Sequence, residues 1–214
     1  ILNIYIGRRP GYRRILIMNK QTKLKLVFPL LCILVSCLAS PFALAQSEMH
    51  TAGSGEPNCA PWLDHKLNKL HSSQIIDLCA QTAGKPVLLI NTASYCGYTY
   101  QFTGLEALYQ RYKDRGLVVV GFPSDDFNQE DDDAAKTADI CYINHGVTFA
   151  MTDVINVKGS DAHPVFQHLA NETKRPNWNF NKYLVDKDGN VIELFRSGVE
   201  PDSRKLQAAI EAVL

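Results

Sequence analysis

The six cysteines of this 214-residue chain include no C-x-x-C pair. That absence argues against a thiol–disulfide oxidoreductase, whose chemistry needs two thiols one turn apart. His65 and His71 stand six apart and no cysteine pair has zinc-ligand spacing, so no metal set is expected. There is no internal repeat and no low-complexity block, which excludes solenoids and repetitive arrays. The apolar run from Leu26 to Leu38 is too short to span a bilayer. Acidic residues are missing from the first 45 positions, which carry Arg8, Arg9, Arg13, Arg14, Lys20, Lys23 and Lys25. The remainder holds 15 of the 22 basic residues and all 22 acidic ones, a net of −7 that repels nucleic-acid backbones. With 46% hydrophobic and 21% charged residues, the composition is that of an ordinary folded protein.

The acid-free start reads as an export signal. Met18 to Lys25 forms a positive n-region, Leu26 to Leu38 the apolar core, and Ala43-Leu-Ala45 a cleavage site before Gln46. Residues 1–45 are therefore an upstream extension plus a signal peptide over 18–45, and 46–214 a single domain with enough chain for one core. The expected location is periplasmic or secreted. Leu34-Val-Ser-Cys37 offers a second reading as a lipoprotein box, and only lipidation at Cys37 would bring a membrane into play. Cys59, Cys79, Cys96 and Cys141 remain after cleavage, and four cysteines allow three pairings.

Leucines at helical spacing predict a short helix over 62–71. Val87 to Thr92 is a continuous apolar run, as expected of a strand covered on both faces. Thr99 is the expected N-cap of a helix that carries Leu105, Leu108 and Tyr112 and ends at Gly116. Leu117 to Phe122 is a second buried strand, and the three elements make a parallel βαβ unit. Further helices are expected over 131–145, 164–169 and 203–213. Strands Phe180–Val185 and Val191–Phe195 flank Asp186-Lys-Asp-Gly189, which implies an antiparallel hairpin. A βαβ half followed by a ββα half is an α/β, thioredoxin-like plan, with a central mixed β-sheet flanked by helices.

Cys96 falls between the first buried strand and its helix, where first-turn amides and the helix dipole favour a negative thiolate, the nucleophilic form of cysteine. Asn91-Thr-Ala-Ser-Tyr-Cys-Gly-Tyr-Thr99, Gly121-Phe-Pro-Ser-Asp-Asp-Phe-Asn-Gln-Glu130 and Trp178-Asn-Phe-Asn-Lys-Tyr-Leu-Val185 resemble, in order and spacing, three motifs of the glutathione peroxidase family. Ala162-His-Pro164 and Gly146 to Phe149 also fit, and the resemblance runs from about 85 to 213. It implies a thiol peroxidase that binds no cofactor, takes a peroxide substrate and draws on an external thiol reductant, a thioredoxin-like protein or glutathione. It also implies a tetrad of Cys96, Gln129, Trp178 and Asn179, whose amide and indole N–H groups suit stabilisation of a thiolate and a developing oxyanion.

Several positions depart from the family pattern. Ser124-Asp-Asp126 replaces Cys-Asn-Gln, Tyr95 and Tyr100 replace Lys and Pro, and Ala150 replaces a proline. Residues 58–84 do not show the family's usual hairpin. Asp125, Asp126 and Asp131 to Asp133 are expected to be solvated, and His163 to make a turn or surface contact. Some relatives place a resolving cysteine where Cys141 stands, which implies condensation of a Cys96 sulfenic acid with Cys141. Cys59 and Cys79 lie outside the motifs and are predicted to form a structural disulfide. Two further readings stand beside the peroxidase, a non-catalytic redox sensor and a thiol–disulfide oxidoreductase.

Overall fold

A computed structural model of the chain describes residues 59–214. The predicted signal segment, its cleavage site and Cys37 lie outside the described residues. Five strands form a mixed sheet in the order β5-β4-β3-β6-β7: β3 Val87–Thr92, β4 Val118–Pro123, β5 Ala150–Met151, β6 Lys182–Val185 and β7 Val191–Phe195. β3 runs parallel to β4 and antiparallel to β6, with Leu89 opposite both Val120 and Tyr183. This is the thioredoxin-like architecture expected from the sequence.

The pleat sorts side chains into two layers. Leu88, Ile90, Val119 and Leu184 face α2 (Gln101–Tyr112) and α5 (Arg204–Val213), where Phe102, Leu105, Leu206 and Ile210 are buried. Val87, Leu89, Val120 and Tyr183 face α4 (Pro164–Glu172), through Val165, Phe166 and Leu169. All six residues of β3 are buried, so its apolar run reports burial on both faces. Gly121 makes room at the β4–β5 contact for the Met151 side chain, which a Cβ there would force to move.

The expected helix over 62–71 is absent. Pro61–Leu63 makes one 3₁₀ turn, and β1 (Lys66–Asn68) then pairs antiparallel with β2 (Ile75–Asp77). The leucine spacing fits a helix, but pairing of Leu67 with Ile76, together with the Leu70 N–H donating to Met151 O at 2.9 Å, gives the segment a better set of tertiary partners. Residues 58–84 therefore do contain a hairpin. α1 (Leu78–Thr82) follows, capped by Asp77, and a disulfide joins Cys59 to Cys79 with the Cα atoms 5.3 Å apart.

The expected helix over 131–145 is shorter and broken in character. Asp133 caps α3 (Ala134–Ala138), and the backbone then switches to a π-helical turn over Asp139–Asn144. α4 extends beyond its predicted end to Glu172, with the His163 ring accepting from Val165 N at 3.3 Å. No helix among the described residues is long and apolar enough to cross a membrane.

Candidate active site

Cys96 sits in the loop that leaves the C-terminal end of β3. It is only 7% exposed, while its neighbours Tyr95 and Gly97 are exposed. The thiol is free, and its sulfur accepts the Tyr98 N–H at 3.4 Å. Thr99 is not the N-cap of α2. Its hydroxyl accepts from the Cys96 N–H at 3.1 Å and donates to Ala93 O at 2.9 Å, so it folds the loop back on itself before the helix begins at Gln101. Successive tight turns, Thr99 N–H to Cys96 O and Gln101 N–H to Tyr98 O, carry the chain into α2. Cys96 therefore precedes the helix by one turned segment rather than heading it directly.

Gln129 arrives from the loop after β4. Its carbonyl accepts the Tyr95 N–H at 2.9 Å, which fixes the glutamine loop to the residue beside Cys96. Asn128 takes the left-handed conformation (φ 55°) just before it, a geometry that Asn tolerates better than most side chains. Asn179 is fully buried, and its Nδ2 donates to Gln129 Oε1 at 3.1 Å. The Gln129 Nε2 and the Trp178 Nε1 have no hydrogen-bond partner among the described residues, so both remain available as donors. Trp178 is 39% exposed and packs at 5.4 Å against Phe127, itself capped by the Lys158 ammonium at 4.4 Å.

The loop from Trp178 to Asn181 is held by Asn91 of β3. Asn91 Nδ2 donates to Trp178 O at 3.0 Å, its Oδ1 accepts from Asn181 N at 3.1 Å, and its carbonyl accepts from Phe180 N at 2.6 Å. Phe180 takes φ 61°, unusual for an aromatic residue and costing about 1–3 kcal/mol, and its buried ring packs edge-on to Phe102 at 5.2 Å. Asn91 lies inside a quoted motif, but its anchoring role was not foreseen. The signal available was an amide side chain in a strand otherwise apolar up to that point.

Cys141 is also free, and lies in the same buried layer as Cys96. Burial, with the nearby Glu130 carboxylate adding to it, pushes its thiol up to about 12. Two acidic expectations need correction. Asp126 is not solvated, since its carboxylate accepts from the Val157 and Lys158 amides because the loop folds over it. Asp131 is tied to Tyr95 Oη, Asp133 N and Lys136 Nζ. A separate cleft of about 600 Å³ beside the start of β4, lined by Lys69, Lys113, Val118 and Phe149, contains none of the candidate residues. Among the described residues no group of three or more His, Cys, Asp or Glu side chains could hold a metal ion.

Fold and site together define a thioredoxin-like thiol protein whose loop cysteine has no C-x-x-C partner. The sequence model of the family described as "Glutathione peroxidase" matches residues 66–170. A glutathione peroxidase of Lactococcus lactis is 47% identical over 125 residues, which are 56% of this chain and 80% of that protein. The glutathione peroxidase-like peroxiredoxin GPX5 of Chlamydomonas reinhardtii is 48% identical over 137 residues, 61% of this chain and 83% of that protein. The crystal structure of Trgpx in apo form superposes with a TM-score of 0.56 at 35% identity, covering 73% of this chain and 96% of that one. The chain belongs to the glutathione peroxidase family, and is a peroxidase of the oxidoreductase class.

Proposed function

We propose that the chain reduces hydrogen peroxide or organic hydroperoxides through Cys96. The thiolate sulfur attacks one peroxide oxygen, the S–O bond forms as O–O breaks, and the second oxygen takes a proton and leaves as water or an alcohol. The Cys96 sulfenic acid then condenses with the Cys141 thiol to a disulfide and water, and an external thioredoxin-like dithiol or glutathione restores both thiols. Gln129 and Trp178 offer N–H groups to the peroxide oxygens, while Asn179 orients the Gln129 carboxamide. The observation that carries this reading is the free Cys96 sulfur under the Tyr98 amide, in a loop bonded to the segment that presents the unspent Gln129 donor.

Peroxide-dependent NADPH oxidation, coupled through thioredoxin and its reductase or through glutathione and its reductase, tests the proposal. Cys96→Ser should abolish turnover with either. Cys141→Ser should abolish turnover with thioredoxin, and wild-type rates in that variant would remove Cys141 from the reaction.

The protein is also proposed to act outside the cytoplasm, because the acid-free basic start precedes Ala43-Leu-Ala45 and because the Cys59–Cys79 disulfide belongs to an oxidising compartment. The intact mass of the chain recovered from cells tests this. A start at Gln46 supports export, a lipid-bearing Cys37 supports the anchored form, and an uncut segment overturns both.

A further inference from the structure

The residue after Gln129 ties together two parts of the molecule that the proposed reaction must bring together. Glu130 Oε1 accepts from Ser94 Oγ, two residues before Cys96, and from Thr137 Oγ1 at 2.9 Å, four residues before Cys141. It also accepts the Asp131 N–H at 2.9 Å. Ser94 and Thr137 are both buried, so these bonds form away from competing water. Asp131 repeats the pattern at the surface, accepting from Tyr95 Oη and pairing with Lys136 at 3.5 Å. Two consecutive carboxylates thus fasten the Cys96 loop to α3.

Beyond α3 the chain is held where it leaves the Cys141 turn. The Val147 N–H donates to Cys141 O at 3.0 Å, and Thr103 Oγ1 lies 2.9 Å from His145 Nδ1. The turn itself, Asp139–Asn144, is π-helical, a geometry that is rare and often found at functional sites. Cys141 within it is 1% exposed. Held in this way, the thiol is shut off from solvent, and burial with the nearby Glu130 carboxylate pushes it up to about 12, which disfavours its nucleophilic thiolate.

We propose that Glu130 is a positioning residue for resolution: a latch that holds residues 134–144 closed against the Cys96 loop and must release before Cys141 can react. The inference rests on the reading of Cys141 as the resolving thiol. On release, the Cys141 sulfur attacks the Cys96 sulfenic sulfur, the S–S bond forms as S–O breaks, and the hydroxyl leaves with the thiol proton as water. The step is redox-neutral beyond the peroxide already consumed. Desolvation of the Glu130 carboxylate raises its pKa, and the same charge disfavours a thiolate at Cys141, so the closed state also suppresses premature reaction.

Two variants of the full chain test the latch. Thr137→Val removes only the Cys141-side bond, and Glu130→Gln removes the charge with little change of shape. Iodoacetamide labelling of Cys141, read at its own peptide by mass spectrometry, is compared with the urea unfolding midpoint. Both variants should raise the labelling rate by about tenfold or more, as for loss of one buried charge-assisted bond, and that rate should change little with urea below the unfolding midpoint, because local opening exposes little surface. Wild-type labelling rates in both variants would overturn the latch. So would a labelling rate that climbs with urea as steeply as global unfolding does, because labelling would then report whole-molecule unfolding. A pulse of one equivalent of hydrogen peroxide separates the latch from the resolving reading. Thr137→Val should form the Cys96–Cys141 disulfide faster than wild type. A wild-type chain that forms none would remove resolution by Cys141, and with it the purpose of the latch, whatever the labelling rates.

Discussion

Lys182 shows how much of this site depends on single side chains behind it. Its ammonium group is buried at the start of β6, and Nζ lies within hydrogen-bond distance of Gln101 Oε1 at 2.5 Å, Val199 O at 2.8 Å, Phe180 O at 3.0 Å and Ser197 O at 3.4 Å. These acceptors belong to the start of α2, the left-handed Phe180 and the loop after β7, so one cation joins three segments behind the Cys96 and Asn179 loops. Burial lowers its pKa from 10.5 to about 8, with Glu200 acting in the opposite direction. Below pH 8 both folded and unfolded chains hold the proton and the effect on stability is constant. Between 8 and 10.5 only the unfolded chain holds it, so stability rises with pH. Lys182→Met would leave Gln101 Oε1, Phe180 O and Val199 O without a donor, Ser197 O keeping the Gln101 Nε2 donor at 2.8 Å, and should cost about 1–3 kcal/mol at pH 7. The stability gap between wild type and the variant, from urea titrations at several pH values, should widen as pH rises from 8 to 10.5. A flat or narrowing gap would show that the ammonium is not held at a solvation penalty.

At the scale of elements, the sequence was most legible where burial and periodicity agree. β3 was predicted residue for residue, since a strand covered on both faces needs only an apolar run and no phase. The hairpin of β6 and β7 followed from Asp186 to Gly189, and Gly189 takes the left-handed φ of 85° that such a turn requires. β1 and β2 were missed because three-residue strands carry too little pattern to outweigh leucines at helical spacing. The π-helical turn was missed because local propensity does not distinguish it from an α-helix. What fixes it there is the set of contacts around Cys141 and His145. The site divides in the same way. Gln129 and Asn179 were read from motifs, and they do meet through one amide–amide hydrogen bond. The supports, Asn91, Glu130 and Lys182, act through partners 90, 36 and 81 positions away, a separation that no local pattern carries.

At the scale of the whole molecule, the sheet separates the layer that buries both free cysteines from the α4 layer, which meets the site only at its edge, where Phe127 packs on Trp178. Cys96, Cys141, Phe102 and Phe180 share one face with α2 and α5, while Phe166, Phe122 and Tyr183 pack on the other beneath α4. The two aromatic clusters are comparable in kind. Phe166 is edge-on to Phe122 at 5.3 Å and to Tyr183 at 6.1 Å, and Phe102 is edge-on to Phe180 at 5.2 Å. Truncating either Phe166 or Phe102 to Ala empties a fully buried site and should cost about 3–5 kcal/mol of stability, read from urea midpoints. The catalytic consequences should differ. Phe102 supports the left-handed Phe180, and Phe180 sets the direction of Asn179 and hence of Gln129, so Phe102→Ala should lower kcat at least about tenfold at temperatures where the variant is fully folded. Phe166→Ala should leave kcat within about twofold, because strands β3, β4 and β6 stand between its cavity and the Cys96 loop. Equal losses of kcat in the two variants would mean that the sheet transmits disorder across its full thickness, and that the separation of scaffold from chemistry is geometric but not energetic.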